Sequence, residues 1–271
     1  MAVGFVALNS FSIADTYFVS QLGTLPLAAM GFTFPVSFAM ISVGLGLGIG
    51  VSSVVSRLLG SGDRNTVQRI TTHALLLGIV LGVALTMLGL ATIVPVFQGL
   101  GADERTLPLI REYMEVYFLC AVFIIGPMLG NFAIRATGDT MVPAIMLSTS
   151  AAINVILDPL LIFGLAGFPR LELRGAAIAT VVANGITFVA AIVILAYREH
   201  LIHVRHLGFE KLWDSWQRLL HIGLPAIATN LLTPITMAII TALVAGFGPF
   251  AVAGFGVASR VESFVLIIIF A

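Results

Sequence analysis

The chain has 271 residues, is 59% hydrophobic and 10% charged, and has a mean hydropathy of +1.10. Soluble domains carry about 25% charged residues, so this composition excludes a soluble globular protein and implies many membrane crossings. The formal net charge is zero, which argues against nucleic acid as a partner, and the single cysteine, Cys120, excludes a disulfide within the chain.

A spanning helix needs about 20 apolar residues. Eight stretches meet that need: 1–20, 25–57, 72–98, 110–136, 141–166, 175–198, 222–245 and 249–271. The first has no basic region ahead of it and does not read as a cleavable signal. The second is longer than a bilayer requires, so it is expected to tilt, bend or protrude. Its run Gly44-Leu-Gly46-Leu-Gly48-Ile-Gly50 looks superficially like a nucleotide loop, but no strand precedes it. The Gly44/Gly48 and Gly46/Gly50 spacings fit close helix packing instead.

Connections after even-numbered spans hold Arg57, Arg64, Arg69, Arg135, Arg198, Arg205, Lys211 and Arg218. Those after odd-numbered spans hold Arg105, Arg111, Arg170 and Arg174, mixed with Asp103, Glu104, Glu112, Glu115 and Glu172. The excess of positive charge places the N-terminus and the even connections in the cytoplasm. The connection 199–221 carries Phe209, Leu212, Trp213, Trp216, Leu219 and Leu220 at helical spacing among charges. That pattern predicts an amphipathic helix on the cytoplasmic membrane surface. His200, His203 and His206 lie at three-residue intervals in it. Solvated or headgroup-facing histidines are the plainer reading, with metal binding as the alternative.

Leu22-Gly-Thr-Leu-Pro-Leu-Ala-Ala-Met-Gly31 matches Phe247-Gly-Pro-Phe-Ala-Val-Ala-Gly-Phe-Gly256 at an offset of 225 residues. Internal repeats are a hallmark of transporters. The offset divides the chain into a six-helix lobe (1–198), a cytoplasmic amphipathic linker (199–221) and the first two helices of a second lobe (222–271). On this reading the chain is part of a protein of two repeats, trimmed at both ends.

Polar groups inside such spans are costly and mark function. Asn154 and Asp158 are four residues apart on one helix face. Pro159 follows and removes the hydrogen bond to the Val155 carbonyl. Counting at 1.5 Å per residue from Gly23 and Gly167 puts Asp15 and Asp158 about 12–14 Å below the same boundary. Asn184, counted from Gly175, reaches a similar depth, with Thr180 one turn above it. Two carboxylates in a low dielectric cannot both ionise cheaply, so the pair is suited to hold a proton or a small cation. Asn184 and Thr180 fit packing hydrogen bonds equally well. Asn131 fits a cap or a packing residue. Arg260 and Glu262 lie deep in the eighth span; at i,i+2 they do not face each other, so a partner elsewhere or a cavity-facing role is open. Tyr17, Phe34, Phe38, Tyr117 and Met128 are candidates for a greasy drug cavity, although each fits an ordinary lipid- or helix-facing role.

Five patterns in order are familiar: Asp15 ahead of a Leu-Gly turn, Ser56-Arg-Leu-Leu-Gly-Ser-Gly-Asp63, Arg135-Ala-Thr-Gly-Asp139, Asn154-x-x-x-Asp158, and Gly175-Ala-Ala-Ile-Ala-Thr180. Over the whole chain they resemble the multidrug and toxic compound extrusion (MATE) family, its DinF-like branch in particular. The resemblance implies an all-α membrane fold of two six-helix lobes, about eight of whose spans are present here. It implies alternating access, with cationic or amphipathic compounds exported against inward flow of H+ or Na+. It also implies a coupling site at Asp15, Asn154 and Asp158, with Asn131 nearby and a hydroxyl from the sixth span. Thr180 is the nearest such hydroxyl, and Ala176 or Ala179 is the alternative match.

The expected function is therefore a monomeric, ion-coupled multidrug antiporter in a prokaryotic plasma membrane. It is not expected to be an enzyme or to hold a cofactor beyond the coupling ion, and its partners are organic cations, drugs and the bilayer. A lipid-linked oligosaccharide flippase of the same superfamily is the nearest rival; it would need basic residues in the cavity for a pyrophosphate. An integral-membrane enzyme such as a prenyl transferase would need acid clusters at the membrane surface, whereas Asp15 and Asp158 are single and deep.

Overall fold

Breaks in the apolar pattern decide where helices start and stop, and two of them are the same break written twice. Gly23 (φ 121°) leads into one helix and Gly248 (φ 94°) into another, each at the same place in the repeat. A residue with a Cβ is strained at such φ. The computed structural model describes residues 12–202 and 211–270. Over these it is helical: α1 (12–20), α2 (Thr24–Gly60), α3 (Arg64–Gly99), α4 (Leu107–Leu119), α5 (Ala121–Ala136), α6 (Met141–Phe163), α7 (Glu172–Val193, prolonged by a wide turn Ile194–Arg198), α8 (Leu212–Ala245) and α9 (Pro249–Phe270).

The helix α2 is the hub and packs against α3, α5, α8 and α9, while α6 pairs with α7 and α5 bridges them. Two buried apolar layers hold the bundle. One includes Phe32, Met40, Phe97, Tyr113, Tyr117 and Ile162; the other, toward the Arg57 end, includes Leu47, Val51, Ile70, Leu129, Ile134 and Leu219. Outward faces stay apolar, as with Met87 (69% exposed) and Ile156 (62% exposed), which suits lipid and not water.

The glycine run packs as its spacing predicts, toward two partners. A Cβ on Gly46 would lie 2.5 Å from the Ile227 backbone nitrogen, and one on Gly50 2.7 Å from the Leu219 carbonyl, so this stripe seats α8. Gly44 and Gly48 instead seat the Met128 and Phe132 side chains of α5. At the other end of α2, a Cβ on Gly256 would meet Gly31 Cα at 2.9 Å. These two glycines are equivalent positions of the repeat.

Five described helices are long and apolar enough to span, and the bent pair α4–α5 makes a sixth. The first and eighth expected spans lie partly outside the described residues. One expectation is refined and one corrected. First, the fourth span is bent, with α4 and α5 meeting at Cys120 at 49°. The break is met from α3: Thr86 Oγ1 donates to the Phe118 carbonyl at 2.6 Å, and the Phe118 ring fills the space above Gly89. Second, residues 212–221 are not a separate surface helix but the start of α8. Ser215 Oγ lies 2.8 Å from His73 Nδ1, and Trp216 Nε1 donates to the His73 carbonyl at 3.0 Å. These contacts hold the segment upright against α3. His203, His206 and Phe209 lie outside the described residues.

Gly46→Val should lower stability by about 1–3 kcal/mol, the usual cost of overpacking; thermal melting of the purified protein reads it, and an unchanged melt would mean the α2–α8 seam can yield. At the start of α6, the Val142 N–H and then the Met141 N–H and Arg198 guanidinium hold the Asp139 carboxyl below its ordinary 3.8, against the opposing effect of burial. A depressed folded-state value stabilises above the unfolded one and is lost as pH falls through it. Asp139→Asn should therefore melt lower than the parent at pH 7, with the gap closing below the ordinary value of 3.8.

Candidate functional site

Three helices, α1, α6 and α7, carry the polar groups of the site. From α6, Asn154 (2% exposed) and Asp158 (0%) face inward together. The Asn154 amide is oriented by its neighbours: its nitrogen donates to both Asp158 oxygens, at 3.1 and 2.8 Å, and its oxygen accepts from the Thr180 backbone N–H at 3.1 Å. The Thr180 hydroxyl is 3.2 Å from that oxygen and 3.1 Å from the Ala176 carbonyl, so its single proton serves one at a time. One turn along α7, the Asn184 amide donates to the Thr180 carbonyl at 2.8 Å. Asp15 on α1 is buried, and its Oδ1 has no hydrogen-bond partner. It is close enough to Asp158 for the two charges to act on each other.

Three of these groups border a cavity of about 240 Å³. Asp15, Thr180 and Asn184 form its polar side, and Phe34, Phe38, Tyr117 and Met128 its greasy side. Phe34 and Phe38 are stacked at 6.1 Å, and Tyr113 and Tyr117 at 5.9 Å. Asn154 and Asp158 stand behind Thr180 and are not in the wall. Two expected members are elsewhere. Asn131 is buried on α5 with its side-chain oxygen unbonded, outside the cavity wall. Tyr17 is 61% exposed on the outer face of α1 and does not line the cavity, because two residues along a helix from Asp15 turn it to the opposite face.

The wall also holds residues that the sequence reading did not place there, Tyr113, Ser12 and Arg260 among them. Tyr113 was legible as the i,i+4 partner of Tyr117. Ser12 carried no signal. Arg260, left open by sequence, reaches from α9 into the wall at 7% exposure, donates to Thr16 Oγ1, and lies 5.2 Å over the Phe34 ring. Glu262 is exposed. Among the described residues no group of three or more His, Cys, Asp or Glu is placed to bind a metal. A hard cation would find oxygens on Asp15, Asp158 and Thr180, but the Asn154 oxygen is turned away toward α7.

The comparisons agree with this architecture. The MatE family model matches residues 1–160. A "FAD transporter" of Shewanella oneidensis is 41% identical over 269 residues, 99% of this chain and 60% of that protein. "Multidrug export protein MepA" of Staphylococcus aureus is 28% identical over 270 residues, 99% of this chain and 59% of that protein. The chain thus spans about three-fifths of the length of the curated relatives it matches. An inward-facing multidrug resistance MATE transporter superposes with a TM-score of 0.85 at 27% identity, covering 96% of this chain and 61% of that one. An outward-facing structure gives 0.80 at 26% identity, covering 97% and 61%. The buried acids, the helical bundle and these matches lead to one conclusion: the chain belongs to the MatE family, whose members are membrane transporters and not enzymes.

Proposed function

We propose that the protein exports amphipathic organic compounds, cationic ones first, in exchange for a coupling cation taken up at Asp15 and Asp158. The observation that carries this reading is a carboxylate pair buried beside an aromatic cavity. Asp158 is fully buried and held by the Asn154 amide, while Asp15 keeps an unpartnered oxygen at the cavity wall. A coupling cation at this pair removes the negative charge that would otherwise hold an organic cation, so loading it expels the cargo. With the Asn154 NH2 group facing Asp158, a metal ion there would have to turn the amide before it gained an oxygen ligand, which weighs against Na+. The basic helix ends around Arg57, Arg64 and Arg198 support a cytoplasmic N-terminus in a prokaryotic plasma membrane. The working unit is a monomer built to the full length of the relatives.

A second reading has its own support. A relative is named a FAD transporter, and stacked aromatic pairs in the wall suit a planar ring such as a flavin. The flippase alternative has less: the wall's guanidinium, Arg260, is engaged by Thr16 and Phe34 and makes no pyrophosphate cradle.

In cells carrying the full-length protein, Asp15→Asn and Asp158→Asn should each abolish drug efflux above the level of cells without the transporter; unaltered efflux in both would remove the carboxylate pair from the mechanism. Proteoliposomes should export under an imposed proton gradient and not under Na+ alone. Asn154→Leu leaves Asp158 without its donor and should cost about 1–3 kcal/mol of stability in a melting experiment.

A further inference from the structure

Arg260 touches two empty spaces. It lines the central cavity, and it lines a separate cleft of about 240 Å³ between α1 and α9, together with Ile13, Thr16, Tyr17, Val257 and Val261. Among the described residues no other belongs to both walls. The cleft is apolar, and its rim is exposed: Tyr17 by 61% and Val261 by 48%. Tyr17 belongs to the outer face of the six-helix lobe, which is apolar, so on the α1 side the rim opens toward the bilayer. Among the described residues, Arg260 is thus the side chain shared between the aromatic cavity and that opening.

What holds that side chain is local and uneven. Its guanidinium donates to Thr16 Oγ1 and lies over the Phe34 ring, but its Nε is buried without a partner. The charged or titratable groups near it are Asp15, one residue from Thr16, and Tyr113; Asp158 acts on Asp15 from behind. Glu262, on its own helix, is exposed and faces away. Arg260 and Asp15 form no ion pair at contact distance, so their attraction acts through space. A buried guanidinium with incomplete hydrogen bonding depends on a nearby negative charge to stay where it is.

We propose that Arg260 is a gate between the cavity and the α1–α9 cleft, closed while Asp15 is charged and released when the coupling cation neutralises it. The released route suits an amphipathic compound that leaves sideways into lipid, and its opening by the coupling cation has the sign that export requires. The proposal rests on the exchange reading only for its trigger; the wall itself is geometry.

The test uses the full-length protein in liposomes, with Cys120→Ala and a reporter thiol in the cavity wall from Ile41→Cys. Labelling by a lipid-soluble pyrene maleimide is compared with labelling by a charged, water-soluble maleimide. With Arg260 intact, pyrene labelling should be slow in the absence of the coupling cation. Arg260→Gln, the near-isosteric Thr16→Val and Asp15→Asn should each speed it about tenfold, the scale of one lost charged hydrogen bond, with little change for the charged reagent. Arg260→Lys keeps the charge and should fall between. Melting points matched to the parent exclude general loosening, and Thr16→Val carries the test should Arg260→Gln fail to fold. Equal pyrene rates across the folded variants, or equal gains for the charged reagent, would overturn the gate. Ion-driven export with unchanged labelling would do so while leaving the exchange reading intact; the labelling pattern without ion-driven export would do the reverse.

Discussion

A carboxylate cannot stay in hydrocarbon alone, and that constraint organises this bundle. Asp158 has no exposed surface, so its oxygens must be met from within. Asn154 meets them from one turn away on the same helix, and Thr180 fixes the amide from α7. The α6–α7 pairing is therefore a consequence of the acid as much as of the apolar faces. Asp15 is met less completely, and the incompleteness lies where the cavity is. A fully satisfied pair would be inert. One satisfied and one exposed to a cavity can exchange what they hold.

The legible parts of the fold follow from fixed geometry. Helical rise is constant, so counting from glycine boundaries put Asp15, Asp158 and Asn184 near one level with Thr180 one turn above; Asp15, Thr180 and Asn184 line one cavity, and Asp158 stands outside its wall. Small-residue spacing told where helices approach, although not that Gly44/Gly48 and Gly46/Gly50 serve different partners. Facing was harder. Tyr17 shares a depth with the cavity but points outward, since depth along a helix says nothing of azimuth. The bend at Cys120 has no proline or glycine at the break; it depends on Thr86 from another helix, and a contact made across 32 residues leaves no local mark. The start of α8 misled for a similar reason. Its amphipathic pattern is real, but the side carrying Ser215, Trp216 and Leu219 packs on protein, with His73 of α3 as a partner, while Asp214, Gln217 and Arg218 stay exposed. Arg260 was visibly costly, and only the fold gives it Thr16 and Phe34.

The α2 helix shows how one element can serve two kinds of neighbour. Its Gly44/Gly48 stripe receives the side chains of Met128 and Phe132, as a socket does, and so fixes α5. Its Gly46/Gly50 stripe brings the α8 backbone close at Ile227 and Leu219, and Leu47, Val51 and Leu219 fill the seam beside it. The two stripes lie on opposite faces of the same run of residues.

Gly31 and Gly256 hold a further consequence. Positions that correspond in a repeat touch each other only where the axis relating the two copies passes between them. At that point each residue is its own neighbour in duplicate. A methyl on Gly256 would stand 2.9 Å from Gly31 Cα, and a methyl on Gly31 would meet the Val252 carbonyl at 2.8 Å. The two sites, 225 residues apart, therefore answer to a single volume, and a change tolerated at one narrows what the other can accept. The chain's two halves are bound together there by the absence of side chains, a joint debt that neither half can settle on its own.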